Sequence, residues 1–279
     1  MPRLGMVIDV NKCTGCYSCF LACRDEYCGN DYSPYSAPQP FSGHFWMRLR
    51  QQERGQFPKV KVAYIPVPCQ HCEDAPCQAA APDQAIYRRP DGIVMIDPAK
   101  AAGQQAVVGA CPYGAIFWNP DLHLPQKCTF CAHLLDRGWK APRCVEACPT
   151  GALVFGDLDD PQSEPAMLQT SSRLEALHPE YPTQPKVLYV GLPKRFIAGE
   201  VVLADQEDEC AVGVKVTLVG EADEQLTTTD NYGDFEFEGL SDAGEYAVKV
   251  AHGGYAPVEL RVRTETDVNL GTIRLHRTP

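Results

Sequence analysis

The sequence has no long apolar run and no surplus of positive charge, and no leader is expected ahead of its first motif. Its longest hydrophobic stretches, such as Ile93 to Ile96 and Val187 to Leu192, stay far below the roughly 18 residues that span a bilayer. No membrane anchor is expected. Lys and Arg number 25 against 36 Asp and Glu, a formal charge of -11, and no basic segment recurs along the chain. Nucleic acid and anionic membrane are therefore poor partners. Met6-Val7-Ile8-Asp9 leads straight into Cys13 with no basic segment and apolar core before it, so a cytoplasmic location is expected unless a signal-bearing partner exports the pair. No phosphate loop, Gly-x-Gly-x-x-Gly turn or nucleophile elbow occurs, and His44, His71, His123 and His133 lack metal-ligand spacing. No catalytic site is expected on this chain.

Cysteine is scarce only at one end. Of 14 cysteines, all but Cys210 lie between Cys13 and Cys148, which splits the 279 residues into a cysteine-rich and a cysteine-poor part. Cys13, Cys16, Cys19 and Cys23 follow C-x2-C-x2-C-x3-C, the spacing that wraps three thiolates round one iron–sulfur cube and sends the fourth to a neighbouring cube. Further groups are Cys69, Cys72 and Cys77; Cys111 before Pro112; and Cys128, Cys131, Cys144 and Cys148 before Pro149.

An internal repeat aligns these groups. Ile8-Asp9-Val10-Asn11-Lys12-Cys13 recurs as Ile96-Asp97-Pro98-Ala99-Lys100-Ala101, so Ala101, Gln104 and Val107 stand where Cys13, Cys16 and Cys19 do, and Cys111 matches Cys23. Likewise Cys69, Cys72, Cys77 and Ala81 match Cys128, Cys131, Cys144 and Cys148. Crosswise sharing then completes three cubes: Cys13, Cys16, Cys19 and Cys148; Cys23, Cys128, Cys131 and Cys144; Cys69, Cys72, Cys77 and Cys111. The four empty slots, Ala81, Ala101, Gln104 and Val107, would all belong to one further cube. Chance would empty one whole site only about once in 455 under that rule. Three 4Fe-4S clusters and one deleted site are expected. Zinc fits poorly because three cysteines crowd one short segment, and disulfides belong mainly to small secreted domains. Cys28 and Cys210 fall outside the scheme and are expected to be buried, unreactive thiols.

Residues 1–156 are expected to form a duplicated, intertwined ferredoxin-like domain, entered by strands at Met6 to Val10 and Ile93 to Ile96, with a short helix from Phe20 to Cys28. Residues 157–195, with prolines at 179, 182, 185 and 193, read as an extended connector carrying one helical stretch at Ser163 to Leu177. From 196 to 279 the pattern alternates in steps of two, as in Val212-Val214-Val216-Leu218 and Tyr246-Val248-Val250, and predicts about seven antiparallel strands. The fold class is α+β with a separate all-β domain. Asp230-Asn231-Tyr232-Gly233 reads as a hairpin turn rather than a calcium loop. Several cubes in one domain make a conductor, and with no substrate site here the catalyst must be another subunit.

The order CTGCYSCFLAC, CQHCEDAPC, CPYG, CTFC and CVEACPTGAL resembles the four-cluster iron–sulfur subunits of the dimethyl sulfoxide reductase family, over residues 5 to about 160. The resemblance implies an electron-transfer subunit that docks on a large catalytic subunit holding molybdenum or tungsten in a bis-pterin guanine dinucleotide cofactor, as a heterodimer or its multimer. One missing cluster, no sign of an anchor interface and an added β domain narrow it to the small subunits of polyphenol hydroxylases and transhydroxylases of the pyrogallol and resorcinol type. HFWMRLRQQERG, DGIVMIDPAK, CPYGAIFWN and QKCTFCAHLLD carry that narrower likeness. In four-cluster relatives the emptied slots hold the distal cluster beside a membrane anchor. The implied partner would hydroxylate or transhydroxylate polyhydroxylated aromatics in anaerobic metabolism. The C-terminal domain resembles the transthyretin-like or carboxypeptidase-regulatory-like β fold, and a docking role is expected for it because it carries no chemical motif. Competing readings are the electron subunit of a thiosulfate, polysulfide or arsenate reductase, and a free polyferredoxin with no fixed partner.

Overall fold

The computed structural model describes residues 1–206, 209–221 and 224–279. The chain divides into two compact units, residues 1–52 with 63–192 and residues 53–62 with 193–279.

The first unit contains β1 (Leu4–Asp9), α1 (Ser18–Tyr27), the base of a hairpin formed by β2 (Arg48–Gln56) and β3 (Lys59–Val67), α2 (Pro76–Ala80), β4 (Ile86–Arg88), β5 (Val94–Ile96), β6 (Phe117–Asn119), β7 (Leu124–Gln126), α3 (Ala132–Leu135), α4 (Arg143–Glu146), β8 (Leu153–Asp157), α5 (Glu164–Ser171) and β9 (Val187–Val190). Its elements are short because loops run between the cysteines, where metal bonds can replace part of a core.

The strand registers follow the internal repeat. β1 pairs antiparallel with β8, Ile8 opposite Leu153, and β5 pairs antiparallel with β4, Ile96 opposite Ile86. In the sequence alignment Ile8 matches Ile96 and Leu153 matches Ile86, so the two ladders occupy corresponding positions. The turns that follow also correspond. The Asp9 carboxylate accepts from the amide of Asn11 at 3.1 Å, and Asp97 accepts from Ala99 and Lys100 at 2.9 and 3.2 Å. Gly15 and Gly103 are both left-handed, with φ of 69° and 76°, a conformation that costs glycine least. The elements diverge next. The segment after Tyr17 forms the ten-residue helix α1, whereas its counterpart is a four-residue 3-10 turn over Gln105–Val108.

Residues 157–192 are not an open connector. β9 adds a parallel strand to β1, and Val187 and Tyr189 are completely buried. A central β1 with an unpaired edge would leave buried backbone groups without partners, and β9 supplies them. The Ser163 hydroxyl caps α5 by accepting from the amide of Ala166 at 3.2 Å, so the helix starts where the sequence suggests and ends sooner, at Ser171.

The second unit comprises the hairpin tip 53–62 and β10 (Arg195–Leu203), β11 (Glu209–Cys210), β12 (Lys215–Val219), β13 (Glu224–Thr228), β14 (Asp234–Leu240), β15 (Glu245–Ala251), β16 (Val258–Arg263) and β17 (Val268–Leu275). One sheet has β10 flanked by β11, β14 and β17; the other runs β13-β12-β15-β16. Between them pack Ile197, Val201, Val216, Leu218, Phe235, Phe237, Val248 and Val250. The alternation locates this core, but it predicts only antiparallel pairing, and β17 lies parallel to β10. Lys59 and Lys61 on the hairpin tip pair with Asp234 and with Glu236 and Glu238 of β14. The Asp230 turn closes on itself, its carboxylate accepting from Tyr232 and Asp234 at 2.8 and 3.0 Å, but the flanking strands enter different sheets, so it is no hairpin.

Candidate metal centre

Thirteen cysteines lie in the first unit, and all are free thiols. Mutual electrostatic influence gathers the twelve of the alignment into three overlapping neighbourhoods. Cys19 feels the charges of Cys13, Cys148 and Cys16, and Cys13 those of Cys148 and Cys16. Cys144 feels Cys131, Cys128 and Cys23. Cys72 feels Cys69, Cys111 and Cys77. We call these sites 1, 2 and 3. Electrostatic influence also crosses between them in a row: Cys19 of site 1 acts on Cys23 and Cys144 of site 2, and Cys69 of site 3 on Cys128 of site 2.

The elements explain the grouping. α1 carries Cys19 on the turn facing site 1 and Cys23 one turn on, so one helix serves two sites. α4 and the turn after it do the same in the other direction with Cys144 and Cys148. Backbone amides reach the sulfurs: Phe130 donates to Cys128 and Ala115 to Cys111, both at 3.4 Å.

Site 1 is the most open of the three. Cys16 is exposed and Cys13 and Cys148 are half-buried there, with only Cys19 buried, whereas sites 2 and 3 each have three buried cysteines and one half-buried, Cys128 and Cys111. Burial first, then the neighbouring sulfurs, pushes Cys19 and Cys72 up to about 12. Cys77 is pushed up to about 11 for the same reasons. Cys16 moves the other way, because the hydroxyl and amide of Ser18 favour its thiolate.

This donor set suits a multinuclear cluster. Four neighbouring thiols, most of them shielded from water, cannot all ionise together without a polycation among them, and coordination to iron would supply that charge. Among the described residues no three His, Cys, Asp or Glu side chains close round a single ion. Site 3 also lines a small, largely enclosed cavity. His71 on its wall is fully buried and takes the amide of Val94 on Nδ1 at 3.1 Å, leaving its Nε2 without a partner. An unpaired buried donor facing such a cavity fits sulfur as the missing acceptor.

The four non-cysteine slots behave differently. Ala101 and Val107 are 0% and 1% exposed and pack with Val94, Ile96, Ile116 and Ala81 in one apolar cluster. Gln104 turns its amide back to the carbonyl of Lys100 at 2.9 Å.

His71 and His133 were legible only as neighbours of cysteines. His71 has a left-handed backbone, sits between Cys69 and Cys72 in the chain, and stacks on Phe130 at 3.8 Å. His133 pairs with Glu26 at 2.9 Å and stacks on Tyr32. Cys28 and Cys210 correct the expectation of burial. Cys28 is half-buried beside Arg24, and Cys210 is exposed because β11 is a two-residue edge strand. Lys127, with no sequence signal beyond its place before Cys128, proves to be a buried cation at site 3.

Two domain families match the chain, the 4Fe-4S dicluster domain over residues 60–158 and the carboxypeptidase regulatory-like domain over residues 197–276. The chain is 38% identical to the pyrogallol hydroxytransferase small subunit of Pelobacter acidigallici, across 99% of this chain and 100% of that one. It is 34% identical to the iron–sulfur subunit of the arsenate respiratory reductase of a Shewanella species, across 67% of this chain and 96% of that one. It is 37% identical to a tetrathionate reductase subunit of Salmonella typhimurium, across 70% of this chain and 75% of that one.

Proposed function

Because the chain belongs to the iron–sulfur electron-transfer subunits of molybdopterin oxidoreductases of the dimethyl sulfoxide reductase family, we propose that it relays electrons through three 4Fe-4S clusters to or from a separate molybdenum or tungsten bis-pterin subunit acting on polyhydroxylated aromatic rings. The observation that supports this reading is the division of the sixteen aligned slots: three sets of four thiols within electrostatic reach of one another, and a fourth set whose Ala81, Ala101 and Val107 pack in an apolar cluster while Gln104 bonds back to Lys100.

In this reading Cys13, Cys16, Cys19 and Cys148 hold the first cluster, Cys23, Cys128, Cys131 and Cys144 the second, and Cys69, Cys72, Cys77 and Cys111 the third. Each cluster, when bound, carries one electron at a time with little rearrangement. The protein's part is to fix the row, exclude water and place donors on the sulfurs. The exposed Cys16 makes site 1 the contact for a redox partner, and the buried thiols of site 2 insulate the middle of the path. The matching registers of β1 with β8 and of β5 with β4 support two ferredoxin-like halves, one nested inside the other. The β unit, which holds no comparable set of ligands among its described residues, serves docking.

Similarity along the whole chain to a pyrogallol hydroxytransferase subunit favours a polyphenol ring as the partner's substrate, while the arsenate and tetrathionate relatives keep an inorganic oxyanion reductase as the second reading. No helix of the described residues is long and apolar enough to cross a membrane. An anaerobic assay of the native complex on pyrogallol and on resorcinol, with and without an artificial acceptor, separates the cases. Acceptor-independent pyrogallol conversion means internal use of the wire. Acceptor-dependent resorcinol hydroxylation makes this chain the electron exit. Turnover of neither ring overturns the aromatic reading.

A further inference from the structure

Lys127 follows β7 and is 2% exposed. Its ammonium donates to the carbonyl of Val94 and, at 3.0 Å, to that of Cys128. Among the described residues no carboxylate reaches it. The comparably buried Lys186, at 4% exposed, instead has Glu73 at 2.9 Å. A buried cation with carbonyl partners alone is strongly disfavoured unless an opposite charge lies nearby.

The charge it faces is sulfur. Lys127 lines the cavity of site 3 together with Cys69, Cys72, Cys77 and Cys111. A 4Fe-4S cube bound by four thiolates is an anion in both working oxidation states and is one charge more negative when reduced. A fixed cation beside it stabilises the reduced state more than the oxidised one.

We propose that Lys127 is the counter-charge of the site 3 cluster, holding its reduction potential up so that site 3 is the end of the row where an electron rests. The step is a one-electron exchange in which the site 2 cluster is oxidised as the site 3 cluster is reduced. No proton or further reactant is required. The proposal rests on the three-cluster reading, and it makes Lys127 a potential-setting residue with no contact to substrate.

The test is an anaerobic reductive titration of the native complex followed by electron paramagnetic resonance, with Cys111→Ala assigning the site 3 signal. Lys127→Met should weaken reduction of the site 3 cluster at least tenfold, about 59 mV for one electron. Site 2 should shift less, and site 1 should stay in place. Lys127→Arg, which keeps the charge, should restore the wild-type order. An unchanged site 3 potential overturns the proposal, as does an equal shift in all three clusters, or an arginine variant that behaves like methionine. If Lys127→Met loses the site 3 cluster and Lys127→Arg keeps it, the counter-charge is supported through assembly. Loss in both overturns it. If the wild-type complex lacks a site 3 signal, the three-cluster reading fails instead.

Discussion

Val107 occupies the slot that Cys19 fills in the other half of the repeat, and its surroundings predict opposite consequences for the two residues. Val107 is 1% exposed among Val94, Ile96, Ala101 and Ile116. Val107→Ala removes two methyl groups, about 1.6 kcal/mol of transfer free energy at about 0.8 kcal/mol each, and the residual cavity brings the cost to about 2 kcal/mol. For a protein of this size that lowers the unfolding temperature by about 4–8 °C. Iron content should not change, because in this account the slot is core. Cys19→Ala instead removes a ligand of site 1 and should cost up to about four iron atoms per chain. The assay is anaerobic thermal unfolding at one scan rate alongside iron determination on the same preparations. A Val107→Ala chain that loses iron, or one whose unfolding temperature does not fall, would refute the reasoning.

Cys111→Ala should abolish the spectroscopic signal of site 3 and leave those of sites 1 and 2, checked by low-temperature magnetic resonance of the reduced protein; three intact signals would contradict the ligand pairing. Glu73→Gln strands the buried ammonium of Lys186, 2.9 Å away, and should cost about 1–2 kcal/mol at pH 7, between surface and fully buried pairs. The hydrogen bond from Lys186, more than any other influence, holds the Glu73 carboxyl below its ordinary range. Its folded pKa is therefore lower than its unfolded one, so the contribution is complete above about pH 4.3 and is lost as pH falls through the folded value. Comparing wild-type and variant unfolding temperatures should show a gap that narrows below about pH 4; a gap that widens there contradicts the pairing. A chain ending at Leu192 should no longer copurify with its catalytic subunit, and retention of the complex would remove the docking role from the β unit.

A ligand grouping can be proposed from the sequence because iron–sulfur chemistry constrains spacing within short segments, and because the repeat carries the same turn residues, Asp9 with Gly15 and Asp97 with Gly103, into both halves. Alternation likewise exposed the β core, since a residue such as Val248 or Val250 must face inward on every second step. Long-range pairing left no such trace. The proline-rich stretch before Val187 hides a strand whose partner, β1, lies at the other end of the chain. Nothing local shows that the hairpin tip at 53–62 joins the C-terminal strands, because Lys59 and Lys61 look like surface cations until Asp234 and Glu236 are placed beside them. The same holds for Lys127. A lysine normally reads as solvent-exposed, and only the folded cavity shows that its neighbours are sulfur and carbonyl oxygen.

The central claim is three clusters with the fourth site filled by core. Iron and labile sulfide determination with Mössbauer spectroscopy on the anaerobically isolated native complex, after subtraction of clusters held by the partner, tests it most directly. The account predicts about twelve iron atoms on this chain, all in 4Fe-4S form, four at each of three sites. About sixteen iron atoms would mean that the cysteine-free slots at 81, 101, 104 and 107 hold a cluster after all, and about eight would mean that one of the three thiol sets does not.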